Sequence, residues 1–405
     1  MNDQVAGAAG ALDAAGRRRK LAYALGQAEP TALAEWLAAY RLDADDMAWL
    51  DGQGLAMFAL DRLRRSDLLG SVPTELSLRW DQTYQRTLLA AAAADWEMER
   101  AVAALDRAGV DFIWLKGAVL AGAVWPNPAC RTRGDLDLWI PVERLEAATA
   151  ALAELGYEVN GKEERPAALS LLTGGEQQLA PGPSLRAAGG SPLALIELQW
   201  PALRGEWVRR AAAVDHAAIW QRRCRVLVGE QPGWAMAPED TLIHLCFHQA
   251  INHQFSAPWL RNLLDIHLLT RLESLNWSQI AVRAIEWRLA AVVWTVLHLA
   301  GELLGTRAPA TVMDTLAPPA WRRRLIAGLR LNEATLAMRA GGYGYRRFLV
   351  QLALVDRARD ALVVVARGVA PEAAWLRARY DLAPGQPVWP WRVRHVWRLA
   401  TSARA

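Results

Sequence analysis

Apolar positions in the first hundred residues recur at helical spacing. Leu60, Leu63 and Leu68-Leu69 give one stripe, and Leu88-Leu89 with the alanines after them continue it in a second helix. No reactive side chains gather there, so residues 1–100 read as a helical cap or packing module. The texture changes at Asp111. Phe112-Ile113-Trp114-Leu115 is a short run of β type, followed by helical residues 118–124 and the turn-rich Trp125-Pro126-Asn127-Pro128. Residues 136–140 predict a second strand, ended by Pro141. Residues 143–155 predict a helix, because Leu145, Ala148, Leu152 and Leu155 fall at helical spacing and Gly156 can stop it. Tyr157-Glu158-Val159 starts a third strand. The order strand, helix, strand, helix, strand specifies an α/β unit.

Residues 161–192 read as loop, with Gly174-Gly175, Pro181-Gly182-Pro183 and Gly189-Gly190. Residues 193–200 form a strand closed by Pro201. Residues 224–228 and 234–237 predict a small hairpin turning through Gln231-Pro232-Gly233. Everything from Pro238 onward reads as helix. Pro238 suits a first helical position, and Glu239 and Asp240 suit the positive end of its dipole. The expected fold class is therefore α+β: a small mixed-sheet core at residues 101–237, between helical regions at 1–100 and 238–405.

Composition narrows the function classes. A chain of 405 residues with 53% hydrophobic content can bury a large core. The net charge of +4 tolerates an anionic substrate without indicating nucleic acid. Twenty tryptophans without a fixed period read as core and interface fillers. Cys130, Cys224 and Cys246 form no CxxC pair, which argues against a disulfide framework or zinc knuckle and favours a reducing cytoplasm. Residues 17–20 are basic but no long apolar run follows, so no signal peptide is expected. The apolar residues 289–304 are interrupted by His298 and Glu302 and are short for a bilayer span.

The chemistry concentrates around one strand. Asp135 and Asp137 point to one face of it, while Leu136, Leu138 and Ile140 point to the other. Adjacent carboxylates repel, so they are tolerated where a cation sits between them. Mg2+, or Mn2+ in its place, is the natural candidate, since magnesium binds through one or two carboxylates plus substrate phosphates. Glu197 and Gln199 share a face in the strand Leu195-Ile196-Glu197-Leu198-Gln199-Trp200, and Glu197 becomes a third acid if that strand lies beside the first. Arg131 and Arg133 precede the acidic pair and could neutralise a leaving pyrophosphate. Lys116, one of three lysines in the chain, supplies a point charge, and Gly117 permits close backbone approach to a phosphate.

Residues 112–157, from Phe112 through Lys116-Gly117 and Gly134-Asp135-Leu136-Asp137-Leu138 to Tyr157, resemble the uncharacterised nucleotidyltransferase family of the polymerase-β-like nucleotidyltransferase superfamily. The likeness extends to Ile196-Glu197-Leu198-Gln199-Trp200, to Pro238-Glu239-Asp240 with His244-Leu245-Cys246-Phe247-His248, to Trp259-Leu260 with Leu263-Leu264-Asp265, and weakly to Arg379-Tyr380. It thus covers most of the chain after residue 100. The resemblance implies transfer of a nucleoside monophosphate from an NTP to an acceptor hydroxyl on a small molecule, peptide or protein. It implies Asp135 and Asp137 as metal ligands and Glu197 as the third acid. Two positions depart from the superfamily pattern. The Gly-Ser phosphate turn is Lys116-Gly117-Ala118 here, without a serine hydroxyl, and the histidine of the late strand is Gln199. Both are partly shared with toxin-type nucleotidyltransferases that carry a Lys-Gly-Gly turn, which makes modification of tRNA ends one alternative. The other is a catalytically inactive nucleotide- or partner-binding accessory protein of the same fold.

His244 and His248 lie four apart on one helix face, with His253 beyond, but no glutamate completes an HExxH zinc motif. They read as hydrogen-bonded helix histidines lining the cleft beside Asp265, with His248 able to reach an acceptor or phosphate. The C-terminal Trp389-Pro390-Trp391-Arg392-Val393-Arg394-His395-Val396-Trp397-Arg398 is basic and aromatic. Its tryptophans are expected to pack on the body, with contact to a membrane surface or nucleic acid the less favoured reading.

Overall fold

The structure is a computed structural model that describes residues 14–131, 133–160, 170, 172–187, 195–255, 260–336 and 344–402. Among the described residues four N-terminal helices come first: α1 (Ala14–Gly26), α2 (Thr31–Ala39), α3 (Ala44–Gly52) and α4 (Ala56–Arg65). A capping box starts α3, with the Asp43 carboxylate accepting from the Asp46 amide and Asp46 reciprocating. Such a cap contributes about 1 kcal/mol. The long α5 (Thr74–Arg107) then leads into the sheet region, where α6 (Gly117–Ala123) and α7 (Leu145–Ala153) connect strands. The C-terminal helices used below are α8 (Pro238–Phe247), α9 (Leu260–Leu269), α10 (Ala290–Leu304), α11 (Ala358–Val369), α12 (Ala373–Tyr380) and α13 (Trp389–Ser402).

Helix α10 is apolar almost all round and is buried accordingly. It packs along α1 so closely that a Cβ on Gly26 would sit 2.1 Å from the Leu304 carbonyl oxygen. One hydrophobic cluster therefore runs from Leu21 and Trp49 in the N-terminal helices to Phe247, Leu264 and Leu297 in the C-terminal ones. The two helical regions flank the sheet in sequence but share a core in space.

Among the described residues, seven strands form one mixed sheet in the order β3-β4-β5-β2-β1-β7-β6. They are β1 (Ile113–Trp114), β2 (Asp135–Trp139), β3 (Tyr157–Val159), β4 (Gly175–Pro181), β5 (Leu195–Trp200), β6 (Cys224–Val228) and β7 (Gln231–Ala235). The α+β class with helical flanks is borne out. On one face of the sheet, Leu136, Leu138, Ile196 and Leu198 pack against Met98, Val102 and Leu105 of α5 and Leu152 of α7. Each such buried leucine or isoleucine contributes roughly 1.5–3 kcal/mol. That apolar face fixes the register and leaves the opposite face for polar side chains.

Several local expectations change. Residues 175–181, read as loop, form β4, paired antiparallel to β5 with Gln178 opposite Glu197. The strand lacks apolar alternation because Gln177, on the face opposite Glu176 and Gln178, is polar too and accepts from the Thr149 hydroxyl. The hairpin turns at Gly229-Glu230, where Gly229 has φ +62°, so Pro232-Gly233 lies inside β7 instead. Gly233 is needed there, since a Cβ would come within 2.0 Å of Trp114 Nε1. Leu88 and Leu89 are exposed, because the middle of α5 extends past the core and only its ends are buried. Pro183–Ala187, also read as loop, form a short helix, while residues 161–169, 171 and 188–194, with Gly189-Gly190, and Trp259 lie outside the described residues.

Candidate active site

Strands β2 and β5 run parallel, with Asp137 opposite Glu197 and Trp139 opposite Gln199. The alternation that buries Leu136 and Ile196 turns Asp135, Asp137, Glu197 and Gln199 to the other face. Lys116 follows β1 in a positive-φ conformation, φ +47° and ψ −120°, that a lysine adopts only under constraint from its surroundings. This turn aims its ammonium at β2. Lys116 Nζ lies 2.7 Å from Asp137 Oδ1, and Gln199 Nε2 donates to the same oxygen at 2.5 Å. Gln178 Nε2 donates to Glu197 Oε1 at 2.8 Å, and Gln199 Nε2 reaches Glu197 Oε2 at 3.3 Å. Arg204 Nη1 donates to Gln199 Oε1 at 2.7 Å and its other arm pairs with Glu176. Gln199 is thereby oriented, with its amide NH2 held between two carboxylates.

The electrostatics follow from this packing. Burial works against the Asp137 charge, but the Lys116 ammonium and its hydrogen bond outweigh it and hold the carboxyl below the usual range. Burial, and then the Asp137 charge, push Glu197 up to about 7. Asp135, at the solvent-facing end of β2, is also raised, first by desolvation against the cleft wall and then by Asp137. The pair therefore holds its proton on Glu197 and its negative charge on Asp137. These groups line a cleft of about 1110 Å³ between the sheet and the C-terminal helices. That volume lies just above the usual range for small-molecule sites.

The chain matches the family model described as "Uncharacterised nucleotidyltransferase" over residues 45–305, well over half its length. It belongs to the uncharacterised nucleotidyltransferase family. The match starts within α3 and ends at Gly305, so it reaches further into the N-terminal helices than residues 112–265 suggested and stops before Arg379-Tyr380. No curated protein and no solved structure shows significant similarity to the chain.

The structure of this nucleotidyltransferase family member separates the two arginines upstream of the acidic pair. Arg131 lines the cleft beneath Gly117, where a Cβ would meet its Nη1 at 2.7 Å. Its charge is matched by Asp265, which accepts from Nε at 2.7 Å and Nη2 at 2.8 Å, while Trp125 Nε1 donates to the same carboxylate. Arg133 is not brought to the cleft. It turns to α5, with Nη1 2.6 Å from Asp95 and Nη2 donating to the Ala91 carbonyl, because the chain has not yet entered the β2 ladder. Cations that the sequence left unmarked line the cleft instead: Arg204, Arg210 and Arg261. Arg261 carried a signal, since it lies one helical turn before Asp265 within the Leu260-x-x-Leu263 segment. Arg204 and Arg210 carried none, being delivered by the fold.

His248 and His253 line the same cleft, their ring centroids 4.2 Å apart, where α8 passes into a π-turn at His248–Asn252. Wide turns of this kind recur at functional sites. Burial, and then Lys116, lower all three histidines, His244 and His253 to about 3, so they are neutral. His244 departs from the expected hydrogen-bonded histidine, since neither ring nitrogen has a hydrogen-bond partner. Asp265 is engaged by Arg131 and Trp125. Among the described residues, no three His, Cys, Asp or Glu side chains converge into a protein-only metal cage. No helix among them is long and apolar enough to cross a membrane.

Proposed function

We propose that the protein is a metal-dependent nucleotidyltransferase that moves an NMP from an NTP to an acceptor hydroxyl. The observation that carries this reading is the parallel register that sets Glu197 beside Asp137, with Lys116 bound to Asp137, inside a large cleft. A magnesium or manganese ion needs only one or two protein carboxylates when substrate phosphates complete its shell. Asp135 and Asp137 on one face of β2 supply such carboxylates, and Glu197 stands beside Asp137, where a divalent cation would relieve the like-charge contact that, after burial, raises Glu197. Bound there, the ion would neutralise the triphosphate and acidify the acceptor hydroxyl.

The chain's own residues supply the rest. Lys116 and Arg261 offer positive charge to the phosphates, and Arg131 adds to the potential of the cleft floor. Gln199 and Arg204 hold the carboxylates in place. The acceptor oxygen attacks the α-phosphorus in line, the bond to the bridging oxygen breaks, and pyrophosphate leaves. With the cation bound, Glu197 would give up the proton it holds in the metal-free pair, and Asp137 or Glu197 would stand near the attacking oxygen as metal ligand or as the base that takes the acceptor's proton. His248 faces the space beside this pair. The free thiols Cys130, Cys224 and Cys246 agree with a reducing, cytoplasmic setting.

Incubation with α-labelled NTPs, Mg2+ and candidate acceptors tests the reading. Label transfer by the wild type and its loss in Asp135→Ala/Asp137→Ala is expected. Failure to bind any NTP with metal, with the double variant indistinguishable, ends it. A second reading, a non-catalytic nucleotide- or partner-binding accessory protein, draws on the fact that Lys116 and Gln199 already engage Asp137 Oδ1. It predicts NTP binding without transfer to any acceptor. A tRNA-modifying activity predicts label on RNA, and an unlabelled RNA arm removes it.

A further inference from the structure

Helix α13 does not place its tryptophans as the sequence suggested. Trp391 turns inward and packs on Tyr380 of α12 at 4.9 Å, and His395 contacts Trp375 and donates to the Gly368 carbonyl of α11. Trp391 and His395 thus define the face toward the body. At 3.6 residues per turn the opposite face carries Trp389, Val393, Val396 and Trp397. These are 68%, 63%, 43% and 69% exposed, respectively. Arg392 and Arg394 flank the apolar stripe on its two sides, Arg394 stacking over Trp391 at 5.0 Å, and Arg398 follows. No acidic residue occurs after Asp381. The neighbouring α11 exposes Leu362, Val365 and Val369 on one face, while its Val364 and Gly368 line the cleft.

We propose that α13, with the exposed face of α11, is a docking surface for an anionic phospholipid bilayer. Tryptophan belongs at the boundary between headgroup and acyl chain, where one edge of the ring meets water and the rest meets hydrocarbon. Arginines beside it pair with lipid phosphates. With 14 residues α13 is too short to span a membrane, so it lies in the interface plane. Charge selects this occupant over two others. A second copy of the chain would bring two arginine-rich, acid-free faces together, and like-charge juxtaposition is costly. Nucleic acid suits the arginines and the rings but gives the valines of the stripe nothing apolar to enter.

Co-sedimentation of the full chain with vesicles tests the proposal. Vesicles of equal parts phosphatidylcholine and phosphatidylglycerol should carry the protein down, and phosphatidylcholine alone should carry far less. Arg392→Gln/Arg394→Gln/Arg398→Gln should weaken binding about a hundredfold at low salt, taking about fivefold per arginine near an anionic surface. Trp389→Ser/Trp397→Ser should weaken it at least about tenfold, from the lost apolar insertion. Both tryptophans are largely exposed, so thermal midpoints should match the wild type. Val393→Asp gives the same loss from a position outside the core and stands in if a tryptophan variant misfolds. The proposal is overturned if the wild type stays in solution with anionic vesicles, or if the variants sediment as the wild type does. It is equally overturned if the tryptophan variant abolishes a dimer or nucleic-acid complex in a protein that does not bind vesicles.

Discussion

Replacing Glu197 with glutamine should make the metal-free protein more stable at and above neutral pH while removing transfer activity. The folded protein holds this carboxyl at about 7 against an ordinary value of 4.5. Because the native state binds the proton more tightly than the unfolded chain, the stability from this group is fully present below about pH 4.5 and is lost as pH rises through 7. The difference corresponds to an upper bound of about 3 kcal/mol at 1.36 kcal/mol per unit, reduced to about 2 kcal/mol by solvent at the cleft mouth. Glutamine keeps the shape and can still accept from Gln178 and donate to Asp137. It sacrifices only the long 3.3 Å contact with Gln199. Urea denaturation across pH 4.5 to 9 in chelator reads the effect. The wild type should lose stability between about pH 5 and 7, and Glu197→Gln should follow a flatter curve that ends about 2 kcal/mol higher. Millimolar Mg2+ should raise the wild type above pH 7 by more than the variant, which keeps only Asp135 and Asp137 as ligands, since a ligand stabilises the state that binds it in proportion to its affinity. Parallel curves for the two proteins, or a wild type that gains stability through this window, would refute the account of a like-charge pair.

Lys116→Ala should weaken NTP affinity at least about tenfold, as expected for a lost charge-assisted contact, with a smaller effect on Mn2+ affinity. Isothermal titration separates the two, and unchanged NTP affinity would make the lysine incidental. Lys116→Gly should be more stable than Lys116→Ala by about 1 kcal/mol, because glycine relieves the φ of +47°. Asp265→Ala leaves the buried Arg131 guanidinium without its carboxylate and should cost about 3–5 kcal/mol by denaturant titration. Arg133→Ala should leave NTP affinity within about twofold, since the side chain faces Asp95 and not the cleft. A large loss there would contradict its placement.

The sequence by itself determined the carboxylate faces of β2 and β5, the family, and the α+β class with helices on both sides. These depend on local period-two alternation and on motif spacing, which survive without knowledge of what packs where. Other features needed the tertiary structure. The parallel register joining Asp137 to Glu197 is a contact across 60 residues of chain, and no local pattern encodes it. Strand β4 was illegible because Gln177, bonded to Thr149 on the face away from the cleft, is as polar as Glu176 and Gln178 beside it and erases the alternation that marks a half-buried strand. Arg131 and Arg133 look equivalent in sequence, yet one is claimed by Asp265 and the other by Asp95. Arg204 enters the site from a segment with no signature. The outward tryptophans of α13 look like core residues by type, and only the packing of Trp391 and His395 decides which side of that helix faces water. Side-chain type is local, but its destination depends on the register and dihedral angles that the whole fold imposes.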